Sequence, residues 1–174
     1  MSVGKTIRFN LSVSGIGRAI SELKAYKRDI ARKTEVFQQR FSQEVAKLAQ
    51  SGFDSSYLDY RLDGETTPAT VSVDVTSNGS ASFVTAYGED AVWIEFGAGV
   101  YYNGAAGSSP NPWGENLGYT IGSYGKGLGK RKVWGYYRDG ELILTHGTPA
   151  TMPMYNALKQ ACDNIWSIAR EVFG

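Results

Sequence analysis

The chain has 174 residues, 42% of them hydrophobic, with 18 Lys/Arg against 17 Asp/Glu. That length suits a single domain, 1–174, with a sizeable core, and a net charge of +1 gives no ground for a global polyelectrolyte contact with nucleic acid or an anionic membrane. One cysteine, Cys162, and one histidine, His146, exclude an internal disulfide framework and argue against a thiolate or histidine metal centre within one subunit.

No apolar run approaches the roughly 20 residues that span a bilayer, and the N-terminus carries no apolar signal-like region. A soluble protein made in a cytoplasm is expected. The charges are uneven. Arg18 to Lys47 holds eight basic residues against four acids, Asp54 to Glu115 holds nine acids against Arg61 alone, and Lys126 to Arg138 holds five basic residues and no acid. Blocks of opposite sign suit surfaces that meet in an assembly.

In chain order, Ile7, Phe9, Leu11 and Val13 alternate with polar residues, which predicts an N-terminal strand. Ile16, Ile20, Leu23, Ile30, Phe37, Phe41, Val45 and Leu48 then share one stripe at about 100° per residue, predicting a long helix over about 15–51. A helix of that length should bend, break or overhang a compact domain of this size, and an overhanging apolar stripe needs a partner. Ser51-Gly52 ends it. Val71, Val73 and Val75 alternate before Asn78-Gly79, the strongest short hairpin signal. A two-residue turn there sets Val73 opposite Val84 and Val71 opposite Ala86. Asp90 reads as the cap of a short turn or helix leading to Glu95.

The run Ala91-Val92-Trp93-Ile94-Glu95-Phe96-Gly97 surrounds one carboxylate with apolar side chains. A buried carboxylate there must be paired, hydrogen-bonded or protonated. It reads either as a structural acid that accepts from backbone N–H groups at Gly97–Gly99, with Glu95, Phe96 and Gly97 forming a loop root, or as an acid of perturbed pKa. About 97–130 is a glycine-rich insertion with ten glycines and the aromatics Trp113 and Tyr119 among others. Structureless loops that long are functional or disordered, and these aromatics point to an ordering partner such as a neighbouring subunit.

Lys126, Lys130, Arg131 and Lys132 lie near Tyr124 and Trp134, a basic-aromatic patch that suits a nucleic-acid backbone with stacking or an acidic protein partner. The glycines around Lys126 do not make a Walker A loop, because Tyr124 and Arg131 stand where Gly and Ser/Thr are required. Asp139-Gly140 marks a second hairpin, with Arg138 and Glu141 flanking it. Pro153 opens a last helix, where its missing N–H costs nothing. Met154, Leu158, Ala161, Ile165, Ile168 and Val172 form one stripe and Tyr155, Cys162, Trp166 and Phe173 a second, so cover on two sides is expected. Cys162 reads as core rather than nucleophile. No catalytic, cofactor-binding or metal residue is assigned, and a non-enzymatic chain is expected. The fold class is α+β: a mixed or antiparallel sheet of two hairpins plus the N-terminal strand, packed on the two helices.

The apolar-Glu95-Phe96-Gly97 turn, the long glycine-rich loop and the stretch Gly147-Thr148-Pro149-Ala150-Thr151-Met152-Pro153-Met154-Tyr155-Asn156-Ala157 resemble the tail-completion or neck protein family of long-tailed bacteriophages. Where that family commonly has arginine and phenylalanine after the first helix proline, this chain has Met154 and Tyr155. The resemblance implies a non-enzymatic virion protein that joins head to tail as a ring, with six copies expected. It implies head-closure and tail-terminator or tail-tube proteins as partners, DNA passing through the ring, no membrane and no cofactor. The location it implies is the virion neck, with assembly in the host cytoplasm. Tyr155, Cys162, Trp166, Trp113 and Tyr119 are the residues expected at subunit interfaces. The alternative function is a nucleic-acid-binding module using 124–136.

Overall fold

A computed structural model of the chain describes residues 6–58, 61–98, 111–114, 116–117 and 133–174. The element order is α1 (Val13–Asp54), β1 (Tyr57–Leu58), β2 (Thr67–Pro68), β3 (Ser72–Ser77), β4 (Ser82–Tyr87), α2 (Asp90–Phe96), β5 (Trp134–Arg138), β6 (Glu141–Thr145), α3 (Pro153–Asp163) and α4 (Ile165–Phe173). The class is α+β: a long N-terminal helix, short antiparallel hairpins and C-terminal helices.

The N-terminal strand is replaced by extended chain running straight into helix. Residues 6–12 form no strand, and α1 takes in Val13. The cause is local capping. The Ser12 hydroxyl accepts from the Gly15 N–H at 3.0 Å and donates to Asn10 Oδ1 at 2.6 Å, so the first turn starts as a capped helix. Alternating Phe9 and Leu11 stay exposed, since no described strand pairs with them.

Helix α1 runs 42 residues, about 63 Å at 1.5 Å per residue. Its C-terminal third is the scaffold. Val45 and Ala49 pack against Ala157 and Ala161 of α3, and this seam of small residues lets the two helices approach closely. Phe53 packs against Ala91 and Ile94 of α2. Val73 and Met154 touch both clusters and join them. At Gly52 an added Cβ would lie 2.9 Å from the Pro153 Cβ, so the α1–α3 crossing requires glycine there.

The two hairpins do not share a sheet: the described strands form three separate two-stranded antiparallel pairs. The β3–β4 hairpin lies on α1, where the Gln50 side chain donates to Val71 O (2.9 Å) and accepts from Val73 N (2.8 Å). Its register is Val73↔Ala86 and Val75↔Val84, two residues from the expected pairing. Only Gly79 takes positive φ in the connection, and the Asn78 Oδ1 accepts from the Ser80 and Ala81 N–H groups. The loop therefore closes over four residues instead of two. A slip of two keeps the same face inward, so the apolar side is preserved. In β5–β6, Asp139 and Gly140 both have positive φ, as a two-residue type I′ turn requires, and Arg138 stands opposite Glu141.

The last helix is broken. Asn164 ends α3 by donating to Gln160 and Ala161 carbonyls, and its own carbonyl accepts from Ser167 to start α4. Of the expected second stripe, Tyr155 meets Trp113 and Phe173 meets Phe37, while Cys162 and Trp166 stand exposed among the described residues. Ala157 and Ala161 are buried on α1, α4 has no buried residue, and Cys162 is exposed rather than core. Positions 158, 162 and 166 step by four along the outer face, away from the alanine seam.

Candidate functional site

Glu95 sits in the last turn of α2, a helix whose Ala91 and Ile94 are held on Phe53. That anchorage turns Glu95 inward, where it is 6% exposed, towards the start of α3. Helix α3 begins without a cap of its own: the N-cap position is Met152, in left-handed conformation at φ 56°, and its side chain caps nothing. Glu95 supplies the missing acceptor from across the fold. Its Oε2 accepts from the Met154 N–H at 2.8 Å and its Oε1 from the Tyr155 N–H at 3.1 Å. A carboxylate at a helix N-terminus also meets the positive end of the helix dipole.

Asn111 completes the junction. It is buried, its Nδ2 donates to Glu95 Oε1 at 2.8 Å, and its Oδ1 accepts from the Trp113 N–H at 3.0 Å. Trp113 in turn stands edge-on to Tyr155, ring centroids 5.3 Å apart. Backbone bonds run alongside: Ala98 and Thr148 exchange two at 2.8 and 2.7 Å, and Thr151 N donates to Ile94 O at 3.0 Å. Three separated stretches, 94–98, 111–113 and 148–155, thus meet on one carboxylate.

Of the expected donors at Gly97–Gly99, the first two are already used, and Gly99 lies outside the described residues. Gly97 N donates to Trp93 O and Ala98 N to Thr148 O. Gly97, with φ 82°, ends α2 and turns the chain away, while Phe96 is half-buried. Glu95 therefore holds the start of α3 and, through Asn111, one point of the glycine-rich segment. Burial pushes its pKa above the ordinary carboxylate value, while the N–H groups of Met154 and Tyr155 and the Asn111 amide pull it back. Its chemistry is that of a structural cap. The signal for this was Pro153 preceded by Met152, a helix start with no Ser, Thr, Asp or Asn to cap it.

The other expected site residues fall into three groups. Trp113 and Tyr155 come together, against each other within the chain. Cys162 and Trp166 lie on the outer face of α3–α4, with Trp166 77% exposed. Tyr119, Lys126, Lys130, Arg131 and Lys132 lie outside the described residues. Among the described residues no group of three His, Cys, Asp or Glu is placed to hold a metal ion, and no helix is long and apolar enough to cross a membrane. No protein-family model, curated protein or solved structure matches the chain.

Proposed function

We propose that the chain is a structural protein of a tailed-phage neck, a head–tail connector or tail-completion protein that works as a ring, with six copies the expected number. The observation that carries this reading is the exposed apolar stripe on the N-terminal part of α1. Between Ala19 and Ser42 no residue of the helix is buried, although Ile20 and Leu23 continue the apolar stripe and stand exposed. Ile16, Ile20 and Leu23 offer that stripe to another molecule, ahead of the point where Phe37 meets Phe173 and Arg40 pairs with Glu171 of α4. Contiguous exposed apolar surface of this kind marks interaction sites.

The two sequence motifs that resemble the neck family, 91–97 and 147–157, are the stretches that Glu95 joins. Their roles in the fold are thus linked, and the long segment between them is fastened at Ala98 and Asn111. A head–tail joint has to hold such a segment at defined points while presenting it to neighbours, which is the service the junction performs in this reading.

Negative-stain electron microscopy of the purified chain tests the reading. Rings with a central opening are expected, and they persist at high salt because apolar stripes rather than phosphate contacts hold them. Uniform monomers would overturn it.

A further inference from the structure

The β5–β6 hairpin presents an apolar face that nothing among the described residues covers. Its register places Gly135 opposite Leu144 and Tyr137 opposite Leu142, and the pleat puts these four on one side. Tyr137 is 76%, Leu142 54% and Leu144 44% exposed. Gly135 leaves room for the two leucines to lie over the backbone, since an added Cβ would meet their methyl groups at 3.0 and 3.1 Å. Exposed Leu62 extends the face, its N–H donating to Leu144 O.

We propose that this hairpin face is the seat for the projecting half of α1 from a second copy of the chain. The inference rests on the ring reading and names its subunit contact. Charge selects the pair. Residues 13–28 of α1 carry Arg18, Lys24, Lys27 and Arg28 against Glu22, a net of +3. The hairpin tip and the turn beside it, 138–141 and 61–65, carry four acids against Arg61 and Arg138, a net of −2. The competing apolar stripe, on α3–α4, carries Lys159 and Arg170 against Asp163 and Glu171, a net of zero.

Position makes the contact intermolecular. The hairpin is tied to residues 61 and 62, just past the C-terminal end of α1, whereas the exposed stripe begins near Ile16 at the other end of a helix about 63 Å long. A subunit cannot fold its own arm onto its own hairpin without breaking α1. Two different patches at opposite ends of one molecule make a heterologous contact, which repeats from copy to copy and closes into a ring when the rotation permits.

Two variants of exposed residues test the pairing, Ile20→Asp in the arm and Leu142→Asp in the hairpin, each checked by circular dichroism for wild-type helix content. Sedimentation should show each alone as a monomer. Mixed in equal amounts they should form a 1:1 dimer that grows no further, because the intact arm of one fits the intact hairpin of the other and the remaining ends are spoiled. A Leu142→Asp variant that assembles like the wild type would overturn the pairing while leaving the ring reading standing, as would a mixture that stays monomeric. Loss of assembly in Trp166→Ala but not in Leu142→Asp would move the contact to α4 and also overturn it. A wild-type chain that is itself monomeric would overturn the ring reading and the pairing together.

Discussion

At the scale of single residues, Glu95 shows how a burial cost is set against capping. Replacing it with alanine removes the acceptor of two helix N–H groups and the side-chain oxygen that Asn111 bonds. The loss should be about 1–3 kcal/mol, read as a lower urea midpoint with unchanged slope. Glu95→Gln tests the charge separately. Because burial raises the folded pKa of Glu95 above 4.5, the stability linked to its protonation is fully present below about pH 4.5 and is lost as pH rises through the folded value. Unfolding curves of wild type and Glu95→Gln across mildly acid pH should diverge in that direction, the wild type losing ground with rising pH. An equal pH dependence in both would show that Glu95 does not titrate differently in the fold. Two glycines of α1 should respond with opposite signs. Gly17 has open space around its Cβ position, so Gly17→Ala should stabilise by roughly 0.5–1 kcal/mol through helix propensity. At Gly52 the same propensity gain meets the Pro153 ring, and overpacking at about 1–3 kcal/mol should make Gly52→Ala a net loss. Thermal melts of the two variants decide both.

At the scale of elements, α1 divides into a C-terminal part packed on α3, α4 and the β3–β4 hairpin and an N-terminal part whose stripe residues Ile16, Ile20 and Leu23 are exposed. Truncating Phe53, which is fully buried between Ala91 and Ile94, should cost about 3–5 kcal/mol, whereas Leu23→Ala should leave the melting temperature of the monomeric Ile20→Asp background unchanged. A large loss from Leu23→Ala in that background would mean the arm is packed within its own subunit. The strongly periodic elements were legible in the sequence. The 16–48 stripe foretold α1, Asp139-Gly140 the β5–β6 hairpin, and the valine alternation of 71–75 the inward face of β3. What escaped depended on side chains acting at a distance or on local capping. Ser12 and Asn10 converted an alternating segment into a helix start, Asn78 widened its loop by accepting two N–H bonds, and the backbone break at Asn164 falls in a stripe whose periodicity runs through it unbroken. At the site, the importance of Glu95 was legible from its apolar setting, but its donors were not: Met154 and Tyr155 lie 59 and 60 residues along the chain, and Asn111 sits inside a segment with no periodicity to place it.

At the scale of the whole molecule, the exposed apolar surface is distributed rather than scattered. It lies on the arm of α1, on the β5–β6 face and on the α3–α4 stripe of Leu158, Cys162 and Trp166. The described ion pairs mostly involve exposed groups, each worth about 0–1 kcal/mol. Burial of the apolar faces should therefore supply the association energy, and the opposed charges its register and rate. Assembly should weaken on cooling more than on adding salt, because the hydrophobic contribution fades at low temperature. Light scattering across temperature and salt checks this, and dissociation by salt alone would reverse the ranking.

Native mass spectrometry of the chain tests most directly whether it closes on itself through two unlike patches, as proposed. Sprayed over a range of micromolar concentrations, the wild type should give one dominant species of fixed copy number, six subunits, with no series of larger forms. A monomer across that range, or an open ladder of masses that lengthens with concentration, would contradict it.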